Sequence, residues 1–299
     1  MGAYHHKDWR GKTGGTALMQ RSLVLLLRFI PLPVMYFVMG LVIPFYMIFD
    51  RRAFVSSFAF YKKRIGRGPV KSFFSVYRNE FALGQVVLDR FAMYAGKNFR
   101  IVSDDMDTFA ELTAMPEGFL QLFAHVGNPE MAGYALKSPK TIYTLVYAGE
   151  TEQMMKGRSS IFSKRNVVMV PVREDMSHIF TMNEALANGN IACMPADRLF
   201  GSQKSLRVRF FGQDVSLPAG PFTLAAARNA RAYALFVMKD SMRTYHVYHK
   251  WLPDISKSDL SRNGKLELMA TSFAGLLEEM VRKYPYQWFN FYDFWNEAV

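Results

Sequence analysis

The feature that most constrains this chain is a run of uncharged residues, 29–49, with arginines on both sides of it. A helix of this length could cross the hydrocarbon layer of a bilayer, which is about 30 Å thick. Pro31, Pro33 and Pro44 lie within the run, and each should break a helical hydrogen-bond ladder. We therefore expect the segment to dip into or lie at one leaflet rather than to span the membrane. A buried helix of a soluble domain is the alternative, which the length and the lack of charge disfavour.

Positive charge is concentrated in the first third of the chain. Residues 1–100 contain 16 Lys and Arg against 4 Asp and Glu, whereas residues 101–299 contain 21 of each. A basic region of this kind indicates an anionic partner, which could be nucleic acid, lipid headgroups or an acidic protein. Because the uncharged run lies inside it, the sequence favours an anionic membrane surface and no nucleic acid. We predict that residues 1–100 are a basic, membrane-associated region with helices over 51–64 and 70–94.

After residue 100 the sequence changes to short apolar runs rich in β-branched and aromatic residues, separated by helical or loop stretches. The runs occupy residues 118–124, 141–147, 166–172, 190–194, 206–211, 232–238 and 244–251, and an amphipathic helix is predicted over 264–283. This alternation is typical of the α/β class, in which helices cover the faces of a sheet. We therefore predict that residues 101–299 form an α/β core.

Candidate chemistry lies where the first of these strands ends. His125 follows the strand, Gly127 permits a turn, Asn128 is a good helix N-cap, and Glu130 falls in the first turn of the next helix. Across such a junction the Glu130 carboxylate could reach the imidazole, fix its tautomer and leave the other nitrogen free to accept a proton. Purely structural roles stay open, because an acidic residue also stabilises a helix N-terminus.

The string HVGNPE at 125–130 resembles the His-x4-acidic motif of the lysophospholipid acyltransferase superfamily, in particular its lipid A late acyltransferase branch. The similarity continues, in the same order along the chain, through residues 81–97, 188–198, 208–237 and 284–295. The last of these, YPYQWFNFYDFW, looks like the ending of a divergent group of predicted acyltransferases associated with aryl-polyene lipid synthesis. The resemblance implies a glycerolipid acyltransferase-like α/β fold with a mixed, largely parallel sheet.

The resemblance also implies an activity: transfer of a fatty acyl group from a thioester to a hydroxyl or amine of a membrane lipid. The donor would be acyl carrier protein, or coenzyme A, with no other cofactor and no metal, at the cytoplasmic face of a bacterial inner membrane. His125 would be the general base and Glu130 would orient it. Substrate-binding roles are expected for Arg158, Asp197, Arg198 and Asn128.

Two features of the sequence depart from the branch and leave the acceptor open. Asp197-Arg198 stands where the branch usually has Asp-Gln, and Tyr292-Asp293 where it usually has a His and an Arg. Two other functions also stay open. The acidic run at 104–107 could serve a metal-dependent glycosyl or phosphoryl transferase of the membrane, or the same scaffold could be a membrane adaptor without catalytic activity.

Overall fold

The computed structural model describes residues 17–104, 106–135, 138–147, 162–173, 175–199, 204–256 and 258–295. The described part of the first hundred residues is helical. It contains α1 (Ala17–Phe29), α2 (Leu32–Phe49), α3 (Arg51–Ala59) with a π-helical turn after it (Phe60–Arg64), and α4 (Pro69–Tyr94). The helices predicted over 51–64 and 70–94 are therefore confirmed.

Three prolines shape the uncharged run in different ways. Pro31 separates α1 from α2, and Pro33 lies in the first turn of α2, where no intrahelical donor is needed. Pro44 lies inside α2, where it interrupts the hydrogen-bond ladder as predicted, but the helix continues through it. Pro44 cannot donate to the carbonyl of Gly40, and the Tyr77 hydroxyl of α4 donates to that oxygen instead, at 3.1 Å. A neighbouring helix thus supplies the donor that proline removes.

Helix α2 is, among the described residues, the helix that is long and apolar enough to cross a membrane, judged by length and composition alone. Its mean hydropathy is 2.1 and 22% of it is buried inside the protein. The buried side chains contact α4 in an antiparallel arrangement, with Tyr36 near Asp89 and Gly40 near Tyr77. The helices share a hydrophobic cluster with the sheet that follows.

The rest of the described chain alternates strands and helices. The strands are β1 (Arg100–Ser103), β2 (Phe119–Phe123), β3 (Ile142–Tyr147), β4 (Val167–Val172), β5 (Ile191–Pro195), β6 (Ser205–Phe210), β7 (Gln213–Pro218), β8 (Ala232–Lys239) and β9 (Thr244–Trp251). The helices are α5 (Met106–Ala114), α6 (Glu130–Ala135), α7 (Ser177–Ala187), α8 (Ala219–Arg228) and α9 (Arg262–Lys283), with a 3₁₀ turn at Ser163–Arg165.

Seven strands form one sheet in the order β1-β9-β8-β2-β5-β3-β4. All neighbouring pairs are parallel except β8 and β9, so β1 and β9 run opposite to the other five. Strands β6 and β7 form a separate hairpin. This confirms the α/β class with a mixed, largely parallel sheet, and it confirms the predicted strands and the last helix. Strands β1 and β7 were not predicted, since one has four residues and the other is largely polar.

A buried ion pair joins the N-terminal helices to the sheet. The Asp89 carboxylate of α4, which is completely buried, contacts the ammonium group of Lys239 at the end of β8. The hydroxyls of Tyr36 on α2 and Tyr245 on β9 donate to the same carboxylate. A carboxylate far from water is tolerated only when it is paired and hydrogen-bonded, and these three donors meet that requirement.

We expect Lys239→Met to destabilise the protein by about 3–5 kcal/mol, because Asp89 is then a buried charge without its counter-ion. The double variant Asp89→Asn/Lys239→Met should recover most of this loss. Lys250→Met, which removes a half-exposed lysine 3.5 Å from Glu279, should cost about 1 kcal/mol or less. Denaturant unfolding in mild detergent measures all three. A double variant as unstable as Lys239→Met alone would contradict the ion pair between Asp89 and Lys239.

Candidate active site

His125 and Asp197 meet at one edge of the sheet because two parallel strands end in register. Strands β2 and β5 are neighbours in which Phe123 pairs with Pro195. His125 lies two residues beyond Phe123 and Asp197 two residues beyond Pro195, so the two side chains emerge side by side. The carboxyl ends of parallel strands are where α/β proteins gather reacting groups.

The Asp197 carboxylate holds His125 through two contacts. One oxygen lies 2.9 Å from Nδ1 of the ring, and the other accepts a hydrogen bond of 2.7 Å from the His125 backbone N–H. Asp197 is 2% exposed, whereas the imidazole is 34% exposed. Burial acts to raise the pKa of the Asp197 carboxyl, but the neighbouring His125, its hydrogen bonds and the charge of Arg198 outweigh burial and hold that pKa below its usual value.

This arrangement defines the chemistry available to the ring. An ionised carboxylate at Nδ1 stabilises the tautomer that carries its proton there, which leaves the Nε2 lone pair free. Among the described residues none hydrogen-bonds to Nε2, and a third of the side chain is open to solvent. In this orientation Nε2 faces outward and is able to accept a proton.

Glu130 does not make the contact predicted for it. Its carboxylate lies 2.8 Å from Nε of Arg90 and accepts hydrogen bonds from Tyr94, at 3.1 Å, and from Tyr134. The expected role in orienting His125 is thus taken by Asp197, which we had expected to bind substrate. Glu130 begins α6, and its partners Arg90 and Tyr94 lie one turn apart on α4, so it fixes α6 against α4.

The turn after His125 is built against β8 and the C-terminal segment. The Gly127 N–H donates to the Gln287 carbonyl at 2.8 Å, and the Phe289 N–H donates to the His125 carbonyl at 2.9 Å. The Gln287 side chain in turn bonds both backbone groups of Lys239, each at 2.8 Å. Gly127 has φ +63° and its Cα faces the Val237 carbonyl, so only glycine fits there.

Asn128 supports the turn from beneath. Its amide donates to the Tyr245 hydroxyl at 3.4 Å rather than capping α6, and the side chain is 2% exposed. Asn128 is therefore part of the scaffold of the turn, and its role in binding substrate stays a prediction. Arg198 donates to the Phe289 carbonyl, and its guanidinium lies 5.6 Å from the centre of the Tyr292 ring. Arg158 lies outside the described residues.

Sequence reasoning missed three residues that position this site: Arg90, Tyr94 and Gln287. Arg90 and Tyr94 lie in the stretch 81–97, and Gln287 lies in 284–295; both stretches carried the resemblance, but no role could be assigned. The spacing of Arg90 and Tyr94, four residues apart on a predicted helix, was the one available signal that they share a face.

A shallow cleft, with a volume of only about 20 Å³, lies between the π-helical turn and the C-terminal segment. Phe60, Lys63 and Arg64 line one side of it, and Asn290, Tyr292 and Trp295 line the other. Tyr292 connects the cleft to the site, because its ring also contacts Arg198. Aromatic and cationic side chains line this cleft together with the carboxylate of Asp293.

We expect Gly127→Ala to destabilise the protein by about 2 kcal/mol or more, since its Cβ would lie 2.1 Å from the Val237 carbonyl oxygen. Gly212→Ala is the matched control. Gly212 has φ +77° but open space around its Cα, so this change should cost only about 1 kcal/mol for backbone strain. Denaturation midpoints compare the two. Equal losses would show that the close approach to β8 contributes nothing.

The comparison with known families covers this site. The model of the bacterial lipid A biosynthesis acyltransferase family matches residues 93–297, more than half of the chain, including His125, Glu130, Asp197 and Gln287. No curated protein matches the sequence. With a family match of this extent over the α/β core, the chain belongs to the bacterial lipid A biosynthesis acyltransferase family.

Proposed function

We propose that the protein is a membrane acyltransferase that moves a fatty acyl group from a thioester to a hydroxyl or amine of a lipid acceptor. The observation that carries this proposal is the His125–Asp197 pair, an outward-facing imidazole held by a buried carboxylate. The family supports lipid acyl transfer as the class of reaction.

In the proposed reaction Nε2 of His125 takes the proton from the acceptor as its oxygen or nitrogen bonds to the thioester carbonyl carbon. Asp197 stabilises the imidazolium that forms. The tetrahedral intermediate then collapses, the carbon–sulfur bond breaks, and the imidazolium returns its proton to the leaving thiolate. The acyl group passes directly to the acceptor, so no residue of the chain has to carry it.

Glu130 acts as a positioning residue in this scheme. Its ion pair with Arg90 and its bonds to Tyr94 and Tyr134 hold the start of α6, and with it the turn that carries His125. Burial, together with the charge of Glu130, raises the pKa of Tyr134, so this hydroxyl stays protonated and donates. Arg158 and Arg198 remain our candidates for binding the anionic parts of the substrates.

The charge of the chain supports the donor that we propose. The basic first third suits an acidic acyl carrier protein as donor, with acyl coenzyme A as the alternative, and it suits anionic lipid headgroups. We place the enzyme at the cytoplasmic face of the bacterial inner membrane.

We expect His125→Ala to lower kcat for acyl transfer by about 10²-fold or more, because the acceptor loses its base. The measurement is transfer of a radiolabelled acyl group from acyl carrier protein to lipids extracted from a strain that lacks the enzyme. Mass spectrometry of the same lipids identifies the acceptor. Full transfer activity of this variant, in folded protein, would exclude His125 as the base, whereas no transfer by the unaltered protein would favour a non-catalytic adaptor.

Comparison of Asp197→Asn with Glu130→Gln tests which carboxylate orients the base. Asn presents an amide N–H to Nδ1 and favours the wrong tautomer, so kcat should fall by about 10²-fold or more with KM nearly unchanged. Glu130→Gln retains an acceptor for both tyrosines, and we expect a loss of about tenfold or less. Asp259→Asn, at an exposed position, controls for charge. A larger loss of kcat for Glu130→Gln than for Asp197→Asn would indicate that Glu130 orients His125.

A further inference from the structure

The face of α2 that points away from the protein is apolar along the whole helix. Eight side chains form this surface, which we call the α2 stripe, with exposures between 42% and 83%: Val34, Phe37, Val38, Leu41, Val42, Phe45, Ile48 and Phe49. They recur every three or four residues, so they occupy one side of the helix. A contiguous apolar surface of this size marks an interaction site on a protein that is otherwise folded.

The opposite face of α2 is attached to α4 over the same length. Tyr36 bonds to Asp89, Met39 packs against Gly84, and Gly40 accepts the bond from Tyr77. The two helices are therefore antiparallel and side by side, and the middle of α2 lies level with Tyr77.

Helix α4 is in turn attached to the active site at that same level. The Asn79 amide donates to the carbonyls of Tyr286, at 3.0 Å, and Trp288, at 2.9 Å. The next residue, Phe289, bonds to the His125 backbone. The α2 stripe, α4 and the turn that carries the base thus form one connected unit.

These contacts limit the orientation that α2 can take relative to a bilayer. If α2 crossed the bilayer along its normal, α4 would stand beside it, and the exposed Arg78, next to Tyr77, would lie near the centre of the hydrocarbon. Asn79 and the carbonyls it binds would lie at the same depth. Charged side chains and irregular backbone are costly there unless protein encloses them.

We propose that α2 lies parallel to the plane of one anionic leaflet, with the α2 stripe among the acyl chains and both helix ends on the same side of the membrane. The inference rests on the proposed membrane location and adds its geometry. It also fixes the height of the active site, because His125 is attached to the immersed helix through Asn79 and the C-terminal segment.

The charges near the α2 stripe favour lipid, rather than a second copy of the chain, as the partner that covers it. Arg21 and Arg28 precede the uncharged run, and Arg51 and Arg52 follow it, all of them exposed. Two copies packed stripe to stripe would bring these arginines together, whereas anionic headgroups would neutralise both ends at once. Basic residues at both ends also match a helix whose ends share one side of the membrane.

The decisive experiment measures depth at the two ends of the stripe. In a Cys193→Ala background, spin labels are attached to Val34→Cys and to Ile48→Cys, which are about 20 Å apart along the helix axis. The full-length protein is bound to vesicles of phosphatidylcholine with and without phosphatidylglycerol. We expect equal depths for the two labels, from their accessibility to oxygen and to a water-soluble nickel chelate. A label at Phe180→Cys, exposed on α7, should remain in water.

Depths in opposite leaflets would overturn the proposal, and so would magnetic coupling between labels on two chains, which would show a second copy on the stripe. Sidedness gives an independent measurement. Cysteines at Gly2 and at Gly68, before and after α2, should react with a membrane-impermeant maleimide from the same side of sealed vesicles. Reaction from opposite sides would show a spanning helix.

The anionic leaflet is tested by Arg28→Gln/Arg51→Gln, with one change at each end of the run. Partitioning to vesicles that contain phosphatidylglycerol should fall by about tenfold or more, with little change for neutral vesicles. An equal loss of partitioning to anionic and to neutral vesicles would contradict the proposed attraction between these arginines and anionic headgroups. Acyl transfer assayed in detergent micelles keeps the two proposals apart. If the protein transfers no acyl group but its two labels lie at equal depth, only the proposed function is refuted. If it transfers acyl groups but α2 spans the membrane, only the proposed geometry is refuted.

Discussion

The buried Asp89 carboxylate is the contact on which the arrangement of this protein depends. It joins α2, α4, β8 and β9 through Tyr36, Lys239 and Tyr245. From Lys239 the connection continues to the site, because the Gln287 side chain bonds the backbone of Lys239 and its carbonyl accepts from Gly127. A charge in this position is costly unless every partner is present, so the helices can pack on the sheet in only one register.

His125, the base in the proposed mechanism, is held by a second buried carboxylate, which the sheet supplies. Asp197 can hold His125 because β2 and β5 are neighbours whose ends are in register. Because Asp197 is buried, water does not compete for its carboxylate, and the imidazole of His125 is its main partner. The opposite side of the imidazole is still open to solvent. The two carboxylates have opposite tasks. Asp89 closes an interface between helices and sheet, and Asp197 leaves one nitrogen of its partner open for chemistry.

The sequence predicted the parts of this structure that local patterns control. Strand periodicity located most of the strands, and His125 was placed correctly at the end of β2. Its partner could not be found in this way: Glu130 is five residues from His125 in the chain, whereas Asp197 is 72 residues away and becomes its neighbour only through the strand order. Pro44 shows the same limit, since the local rule predicts the lost hydrogen bond but not that a hydroxyl from another helix replaces it and the helix continues.

Helix α4 connects the two parts of the fold to which our proposals assign membrane attachment and catalysis. One face packs on α2, a second binds the carbonyls of residues 286 and 288 through Asn79, and its C-terminal half holds Glu130 through Arg90 and Tyr94. A lipid nucleophile can extend only a limited distance from the bilayer, so the base must be held at a constant height above the acyl chains. In the orientation that we propose, a single helix that contacts both the α2 stripe and the turn carrying His125 would meet that requirement, whereas a flexible tether to a separate anchor would not.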